Sequence, residues 1–472
     1  MRSTCPLLPA LLLATAPWLA QAEPAHSRTL QAPEETHLTL YANGRALVRE
    51  RYQLRLPSGG LQVVWDRLPR EIDPQSVVVG GGAFQVSALD YDRRLLTPKR
   101  LLAAHVGELV RLIRIDPATG QEIAEAAEIL SVQEGLVVRI GDQIVSDPEG
   151  QIVFSQVPRG LHPAPVLRAI LKPADSASGP QPVELAYLTG GLQWRAEYAL
   201  RVDPAGGKGQ FEGWASVENR TEHDFGPVRL ALVAGALNDV GPQPGPRLER
   251  MALAAAPPTP EHLSDAYRIY RFETPWPIAP HSLSRRPLLA PQEIELASRY
   301  IVAGHAGAYT RRAGAEPERQ HAVLRYDFEL NSEILPPLPA GRVQIFGEQA
   351  GDEGGFALLG IDHLPDTPKG APIRITAGRA FDVWAERRQT DYRVDEAAPP
   401  HRRRYVTRHQ IRLHNMLDHA VTVWVEESIP GQWKILEESD SHFRLDAHTV
   451  RWSLLVQPDR PAVLTYKVQV TQ

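Results

Sequence analysis

The sequence predicts an all-β, multi-domain protein, built of antiparallel β-sandwiches or a small barrel and ending in an immunoglobulin-like sandwich. Segments that alternate apolar and polar residues recur at a spacing of about 8–12 residues, which is typical of sandwich strands separated by turns. Proline is frequent, with 42 prolines in 472 residues, and a proline inside a helix removes a hydrogen bond. The charged fraction of 23% and the hydrophobic fraction of 43% are ordinary for a globular protein.

Residues 1–22 have the pattern of a secretory signal peptide. Arg2 precedes an apolar run over residues 7–19, and Ala20-Gln21-Ala22 matches a small-x-small cleavage pattern. We expect cleavage after Ala22 and export to the periplasm or the medium. The single cysteine, Cys5, would leave with this peptide, so the mature protein would depend on core burial without disulfides. No later segment reaches the ~18 apolar residues of a membrane helix, so we expect no transmembrane segment after cleavage.

A first β-domain is predicted over residues 33–92. Alternating segments at 36–41 and 45–56 flank Asn43-Gly44, and this dipeptide between apolar runs is the strongest short hairpin signal. Residues 100–158 predict a compact meander or small barrel, because short alternating segments follow each other closely. A helix over Glu122–Glu128 remains an alternative on propensity. The prolines between Pro158 and Pro182 indicate a linker or long loop.

A central β-domain is predicted over residues 180–398. Its most proline- and glycine-rich part, about 239–292, indicates an insert. Residues 402–472 carry the clearest alternation, over 405–413, 420–427, 449–456 and 462–470. They predict the C-terminal immunoglobulin-like β-sandwich.

Several segments share their order and spacing with a known family. They include Leu188-Thr189-Gly190-Gly191-Leu192-Gln193-Trp194, residues 338–343 and 359–370, and Val425-Glu426-Glu427. The chain resembles, from about residue 33 to its end, the exported bacterial family described as domain of unknown function 4139, which includes mucoidy inhibitor A-like proteins. Some members carry a long coiled coil, whereas this chain has the strand-rich unit at 100–155 in its place. The family has no established activity, so the resemblance implies no catalytic or ligand residues.

The sequence contains no recognisable catalytic, cofactor-binding or metal-ligating motif. A phosphate-binding loop, a nucleophile elbow and a His-Glu-x-x-His metal motif are absent from it. The glycine cluster Gly206–Gly209 leads into a predicted strand, whereas a dinucleotide fingerprint needs a helix there. The formal charge of −5 gives no electrostatic signature of nucleic-acid binding.

The histidines and basic residues near the C-terminus are weak site candidates. His401, His409, His414 and His419 form the nearest metal-like cluster, but their spacing fixes no coordination geometry, and exposed strand and turn histidines are the simpler interpretation. Arg402-Arg403-Arg404 could contact an anion, although a basic strand edge that blocks aggregation is favoured.

Asn219-Arg220-Thr221 fits the N-glycosylation pattern, but a turn at Asn219 is favoured. The tryptophans could anchor a partner or stack on sugars. Trp424 and Trp452, in alternating segments, predict core positions. Trp276 and Trp433 lie beside proline or glycine and predict exposure.

We therefore expect an exported, non-catalytic envelope protein that binds a protein partner or a surface polymer, without cofactors. The sequence motivates this expectation by its export signal, its many strand edges and its lack of a catalytic constellation. An envelope glycan hydrolase, whose carboxylates meet only in the folded chain, remains the alternative.

Overall fold

The computed structural model describes residues 26–175, 178–203, 207–235, 267–314, 316–330, 336–348, 355–395 and 403–472. Of the described residues, 62% are strand and 4% are helix, arranged in several sheets, which confirms the all-β, multi-sandwich fold class. None of these sheets closes into a barrel, so the small-barrel alternative is wrong for the described residues. Among the described residues, no helix combines the length and the hydrophobicity that crossing a bilayer requires.

The described residues of the first half of the chain form short strands, numbered here in chain order, one α-helix (α1) and a 3₁₀ turn at Pro74–Ser76. These are β1 Ser27–Thr29, β2 Glu35–Tyr41, β3 Ala46–Arg55, β4 Leu61–Trp65, β5 Val78–Gly80, β6 Phe84–Asp92, α1 Pro98–Ala104, β7 Leu109–Ile115, β8 Glu122–Ser131, β9 Val137–Ile140, β10 Gln143–Ser146, β11 Gln151–Val153, β12 Val166–Pro173, β13 Pro180–Thr189, β14 Leu192–Val202, β15 Lys208–Asn219 and β16 Pro227–Ala234.

The second half forms longer strands and a second 3₁₀ turn at Ala306–Tyr309. These are β17 Arg268–Arg271, β18 Trp276–Pro277, β19 Ser282–Glu295, β20 Ala297–Ala303, β21 Glu318–Phe328, β22 Gly341–Glu348, β23 Phe356–Leu364, β24 Ile373–Asp395, β25 Arg404–Asn415, β26 Val421–Ser428, β27 Gln432–Glu438, β28 Phe443–Arg444, β29 Thr449–Val456 and β30 Ala462–Thr471.

Local turn and cap chemistry explains the first elements. The hairpin predicted at Asn43-Gly44 joins β2 to β3, and Gly44 has the positive φ of 81° that such a turn requires. Residues Glu122–Glu128 lie in strand β8, so the helical alternative is wrong. The helix α1 begins instead after Thr97, whose side chain accepts a hydrogen bond from the Arg100 N–H, with Pro98 in the first turn.

The first strands share a sheet with later ones. The strand order is β17-β16-β2-β3-β13-β5, so β2 and β3 lie between strands of the segment predicted as the central domain. Their buried residues belong to one hydrophobic core that extends from Leu30 to Ala377. The predicted boundary at residue 92 therefore does not coincide with a boundary of this core.

The segment 109–153 forms a separate sheet with the order β10-β9-β8-β7-β11. Its small core contains Val110, Leu112, Ala127, Ile129 and Val138. Neighbours in the order are mostly neighbours in the chain, which is the meander that the sequence predicts for this part.

Two proline-rich stretches form strands where a loop and an insert are expected. Strand β12 lies inside the predicted linker 158–182 and pairs with β4 and β6. In the predicted insert 239–292, residues 239–266 lie outside the described residues, whereas β17, β18 and most of β19 fall in the remainder. Strand β19 carries Pro287 and Pro291 at a sheet edge, where a missing N–H breaks no ladder bond.

The C-terminal sandwich is one sheet of nine strands in the order β27-β30-β25-β24-β21-β20-β26-β29-β28. Trp452 of β29 stacks on Tyr466 of β30 with ring centroids 4.6 Å apart, so the two halves of the sheet pack face to face. Strands β20, β21 and β24 precede residue 402, so the sandwich extends beyond its predicted range. The β21–β24 ribbon also reaches the first core through Tyr326 and Ile375.

Candidate functional site

The structure separates the predicted histidine cluster. His409 faces the sandwich interior, whereas His414 lies on the outer face of β25 and stacks on Trp384 with ring centroids 4.9 Å apart. His419 is exposed in the following turn, and His401 lies outside the described residues. Within the described ranges, no group of three or more His, Cys, Asp or Glu residues could hold a metal ion.

The other sequence candidates have structural roles. Asn219 is buried, and its amide donates to the carbonyls of His223 and Ala279 and accepts from Thr221, which confirms the turn. Gly209 lies at the start of β15, in a hairpin with β14, while Gly206 is outside the described residues. Arg404 begins β25, and Arg402 is also outside them.

The tryptophan expectations have mixed outcomes. Trp452 is fully buried, as predicted. The exposure predicted for Trp276 is wrong, because Trp276 is buried and its indole N–H donates to Ser284. Trp433 is half-buried and donates to the Ala447 carbonyl. Trp424 lies on the outer face of β26, so its predicted core position is wrong. The guanidinium groups of Arg299, Arg325 and Arg451 lie over its ring at 5.0, 5.4 and 3.8 Å from the centroid.

A layer of polar side chains crosses the interior of the C-terminal sandwich. We call Tyr309, Arg387, His409, Glu427 and Tyr466 the polar layer. Each of the four strand residues takes an inward position in its strand, and all five residues are buried. In β26 the inward positions are Val421, Val423 and Val425, and Glu427 is the next one. The period-2 pattern that fills the core with valine therefore also places a carboxylate inside it.

Glu427 is at the centre of the polar layer. Arg387 donates from Nη1 to Glu427 Oε1 at 2.5 Å, and the Tyr309 hydroxyl donates to Oε2. The hydroxyls of Tyr309 and Tyr466 lie 3.0 Å apart. Because the Tyr309 hydrogen goes to Glu427, Tyr466 is the donor in that pair. A buried carboxylate is tolerated only with such partners.

Charges within the polar layer shift its acid–base properties. Burial disfavours the charge on Arg387, but Glu427 outweighs this effect and the pKa of the guanidinium is raised. Burial, reinforced by Arg387, lowers the pKa of His409 to about 3, so its imidazole is neutral. Burial and then Glu427 raise the pKa of Tyr309 well above its ordinary value, so this phenol stays a donor.

A close backbone approach completes the packing around Glu427. Gly304 directly follows β20 and begins the connection to the 3₁₀ turn. A Cβ at this position would overlap the Glu427 carboxylate. The Gly304 N–H donates to the Glu426 carbonyl at 2.7 Å. Glycine is therefore required at residue 304 by the position of the buried carboxylate.

A cavity of about 400 Å³ opens beside the polar layer. Arg387 and His409 are its buried lining residues and form what we call its floor. Exposed residues of the segments 311–314 and 316–318 line its rim, and these include Arg311, Arg312 and Glu318. We call it the Arg387 cavity.

Two side chains of β24 hold the cavity wall. Gln389 Nε2 donates to the carbonyls of Ala308 and Arg311 at 3.2 and 3.1 Å, and its Oε1 accepts from the Ala313 N–H at 2.8 Å. The Tyr392 hydroxyl donates to the Thr310 carbonyl at 3.0 Å. The loop after the 3₁₀ turn is thus fixed to the sheet.

An apolar sheet edge is the second notable feature. Strand β23 is the last strand of the sheet β19-β15-β14-β22-β23. Its side chains Phe356, Leu358, Leu359 and Ile361 are 59%, 56%, 44% and 53% exposed. The inner side of β23 is covered, because Gly360 lies against the Ala377 carbonyl of β24. We call these four side chains the β23 patch.

The C-terminal part of the chain matches a known protein family. A family model described as "Domain of unknown function (DUF4139)" matches residues 183–472, well over half of the chain. No curated protein matches the chain.

Proposed function

This chain belongs to the domain of unknown function 4139 family, and we propose that it is a non-catalytic envelope protein that binds an extended segment of a partner protein. The single observation that carries the proposal is the β23 patch. Exposed apolar side chains that are contiguous along one edge strand mark interaction surfaces, whereas scattered ones need no explanation.

The strand itself favours a partner in β conformation. Among the described residues, β23 is hydrogen-bonded in its sheet to β22 alone. Natural proteins usually protect such edges with lysine, proline or a covering loop, and residues 356–364 contain neither lysine nor proline. An extended segment could add to this edge through main-chain hydrogen bonds and fill the surface with alternate apolar side chains.

The chemistry of the patch indicates the composition of that segment. Phe356, Leu358 and Ile361 are each more than half exposed, so covering them contributes roughly 1 kcal/mol apiece. The Arg201 guanidinium lies 5.5 Å from the centre of the Phe356 ring. Arg201 already pairs with Glu212 at 3.3 Å, so the inferred partner segment has apolar residues at alternate positions and needs no acidic residue there.

The predicted signal peptide supports placing this interaction in the envelope. The apolar run over residues 7–19 and the pattern Ala20-Gln21-Ala22 are those of a cleavable signal peptide. The single cysteine, Cys5, precedes this cleavage pattern, so folding in an oxidising compartment would need no disulfide. The resemblance to mucoidy inhibitor A-like proteins supports the same compartment.

The proposal is tested by affinity capture from a detergent-solubilised bacterial envelope fraction. The immobilised chain is expected to retain a specific envelope protein, and L358K/I361K is expected to lose it, because lysine on the edge opposes an apolar strand. The matched control is L455K, since Leu455 is an isolated exposed apolar residue of β29 at 62% exposure. Equal retention by all three proteins contradicts the proposal. Retention of polysaccharide alone would assign a surface polymer in place of a protein.

A glycan hydrolase remains a second candidate because two carboxylates, Glu316 and Glu318, line the Arg387 cavity. A hydrolase of this type needs an acid and a nucleophile or base. Release of reducing ends from purified envelope glycan, abolished in E316Q and E318Q, would establish this candidate. No release by the wild-type chain rejects it.

A further inference from the structure

The Arg387 cavity has a buried floor whose hydrogen-bonding capacity is not fully used. We propose that it binds a small molecule through one oxyanion group, a carboxylate or a phosphate, which accepts hydrogen bonds from Arg387 and is flanked by Arg311 and Arg312. This site is distinct from the β23 patch and goes beyond the proposed partner binding.

Arg387 provides the first step of the argument. Its side chain is 7% exposed, and Nη1 donates to Glu427. Its Nη2 is buried and has no hydrogen-bond partner among the described residues. A buried donor without an acceptor is costly. The planar guanidinium presents donors in a fork that matches the two oxygens of a carboxylate or phosphate.

His409 provides an independent second observation. Its Nε2 lies 3.1 Å from the Thr407 hydroxyl, while its buried Nδ1 has no partner within the described ranges. The Thr407 hydroxyl also donates to the Asp391 carbonyl at 3.1 Å. When this hydroxyl turns to donate to Nε2 instead, Nδ1 carries the hydrogen and can donate to a ligand oxygen. Two buried nitrogens on adjacent strands β24 and β25 would then donate to one group.

The rim defines which molecules fit. Arg311, Arg312, Glu316 and Glu318 all line the cavity, so the rim offers no uniformly positive surface to a polyanion. The volume of about 400 Å³ lies at the lower end for small-molecule pockets. The ligand is therefore a small molecule with a single oxyanion directed at the floor.

The affinity of the cavity for an anion is limited by the negative charge of Glu427. Glu427 already neutralises Arg387, so the ligand gains hydrogen bonds more than net charge attraction. We expect dissociation constants of about 0.1–1 mM for simple anions. The loop needs little ordering on binding, since Gln389 and Tyr392 already hold it.

Isothermal titration calorimetry tests the proposal with inorganic phosphate and with acetate, against sodium chloride at matched ionic strength. The two probes distinguish a phosphate ligand from a carboxylate ligand. We expect saturable binding of at least one. R311Q/R312Q, which changes exposed loop residues, is expected to weaken it about tenfold. R387M/E427L removes the buried pair together and is expected to abolish it.

The matched control is R388Q, because Arg388 is exposed on the opposite face of β24 and its loss is expected to leave binding unchanged. Circular dichroism verifies that each variant is folded, and R311Q/R312Q carries the test if R387M/E427L does not fold. Absence of saturable binding by the wild-type chain overturns the proposal. Binding that R311Q/R312Q retains at full affinity, or that R388Q weakens equally, overturns it as well.

Discussion

Arg387 of β24 and Glu427 of β26 form an ion pair at 2.5 Å inside the C-terminal sandwich, where their side chains are 7% and 0% exposed. The two residues lie on strands separated by β21 and β20 in the sheet order, so the pair spans the interior between the two halves of the folded sheet. Tyr309 and Tyr466 extend the hydrogen bonds from this pair.

Removing either charge alone should destabilise the sandwich strongly. E427L leaves Arg387 buried without its carboxylate partner, and R387M leaves Glu427 buried without its guanidinium partner. We therefore expect each variant to lower the free energy of unfolding by about 3–5 kcal/mol. The double variant R387M/E427L should lower the free energy of unfolding by less than either single variant, as measured by urea denaturation. E426L is the control, because the Glu426–Arg451 pair is partly exposed, and we expect a loss of about 1 kcal/mol or less there. Additive losses in the double variant would show that the pair is not coupled.

The carboxylate position also makes residue 304 intolerant of a side chain. We expect G304A to lower the free energy of unfolding by about 2–4 kcal/mol, because the added Cβ would displace Glu427 or the backbone. G314A is the matched control, since a Cβ at Gly314 has no atom within 4 Å among the described residues. Equal midpoints for the two variants in urea would be inconsistent with the packing around Glu427.

His409 should make the sandwich sensitive to acid. Its folded-state pKa of about 3 is below the ordinary 6.5, so the folded chain binds fewer protons than the unfolded chain. The stability that the neutral His409 contributes is fully present above pH 6.5. It is lost as the pH falls toward 3, by up to about 1.4 kcal/mol per pH unit. H409Q should flatten the decline in melting temperature between pH 7 and pH 5. H419Q changes an exposed histidine and should leave the decline intact, and a slope unaffected by H409Q would refute the assignment.

Two asparagines should be equivalent in their structural role. Asn219 ends β15 and donates to the His223 carbonyl at 2.9 Å, and Asn415 ends β25 and donates to the His419 carbonyl at 2.8 Å. We expect N219A and N415A each to cost about 2–3 kcal/mol in urea denaturation, because several backbone groups lose their partners. The exposed turn residue Asn43 supplies the control, and N43A should cost less than about 0.5 kcal/mol. Similar losses for all three would contradict this role.

Local patterns predicted the elements better than their assembly. Asn43-Gly44 predicted the first hairpin, and alternation predicted β25, β26 and β30 closely. The prolines near β12 and β19 led to the prediction of a linker and an insert in place of strands. Composition alone does not show that a strand lies beside a bulge or at a sheet edge. The pairing of β2 with β16 joins residues almost 200 positions apart, and no local pattern carries that information.

The polar layer was predicted only in part. His409 was predicted only as part of a metal-like histidine cluster. Glu427 lies in the segment Val425-Glu426-Glu427 that resembles the family, and the sequence assigned it no role. The inward series Val421, Val423, Val425 contained a signal for Glu427, since a carboxylate at the next inward position needs a partner. That partner is 40 residues away in the chain, so the sequence pattern could not identify it. Alternation also misplaced Trp424, because the period shows two faces but not which one is buried.

The central claim, that the β23 edge binds an extended segment of an envelope protein, is tested most directly by site-specific photo-crosslinking in cells. A benzoylphenylalanine residue is introduced in place of Leu358, or in place of Leu455 as the control. We predict a discrete cross-linked envelope protein with the residue 358 probe, attached through a segment with alternating apolar residues, and none with the residue 455 probe. The same products from both positions, or none from residue 358, would contradict the claim.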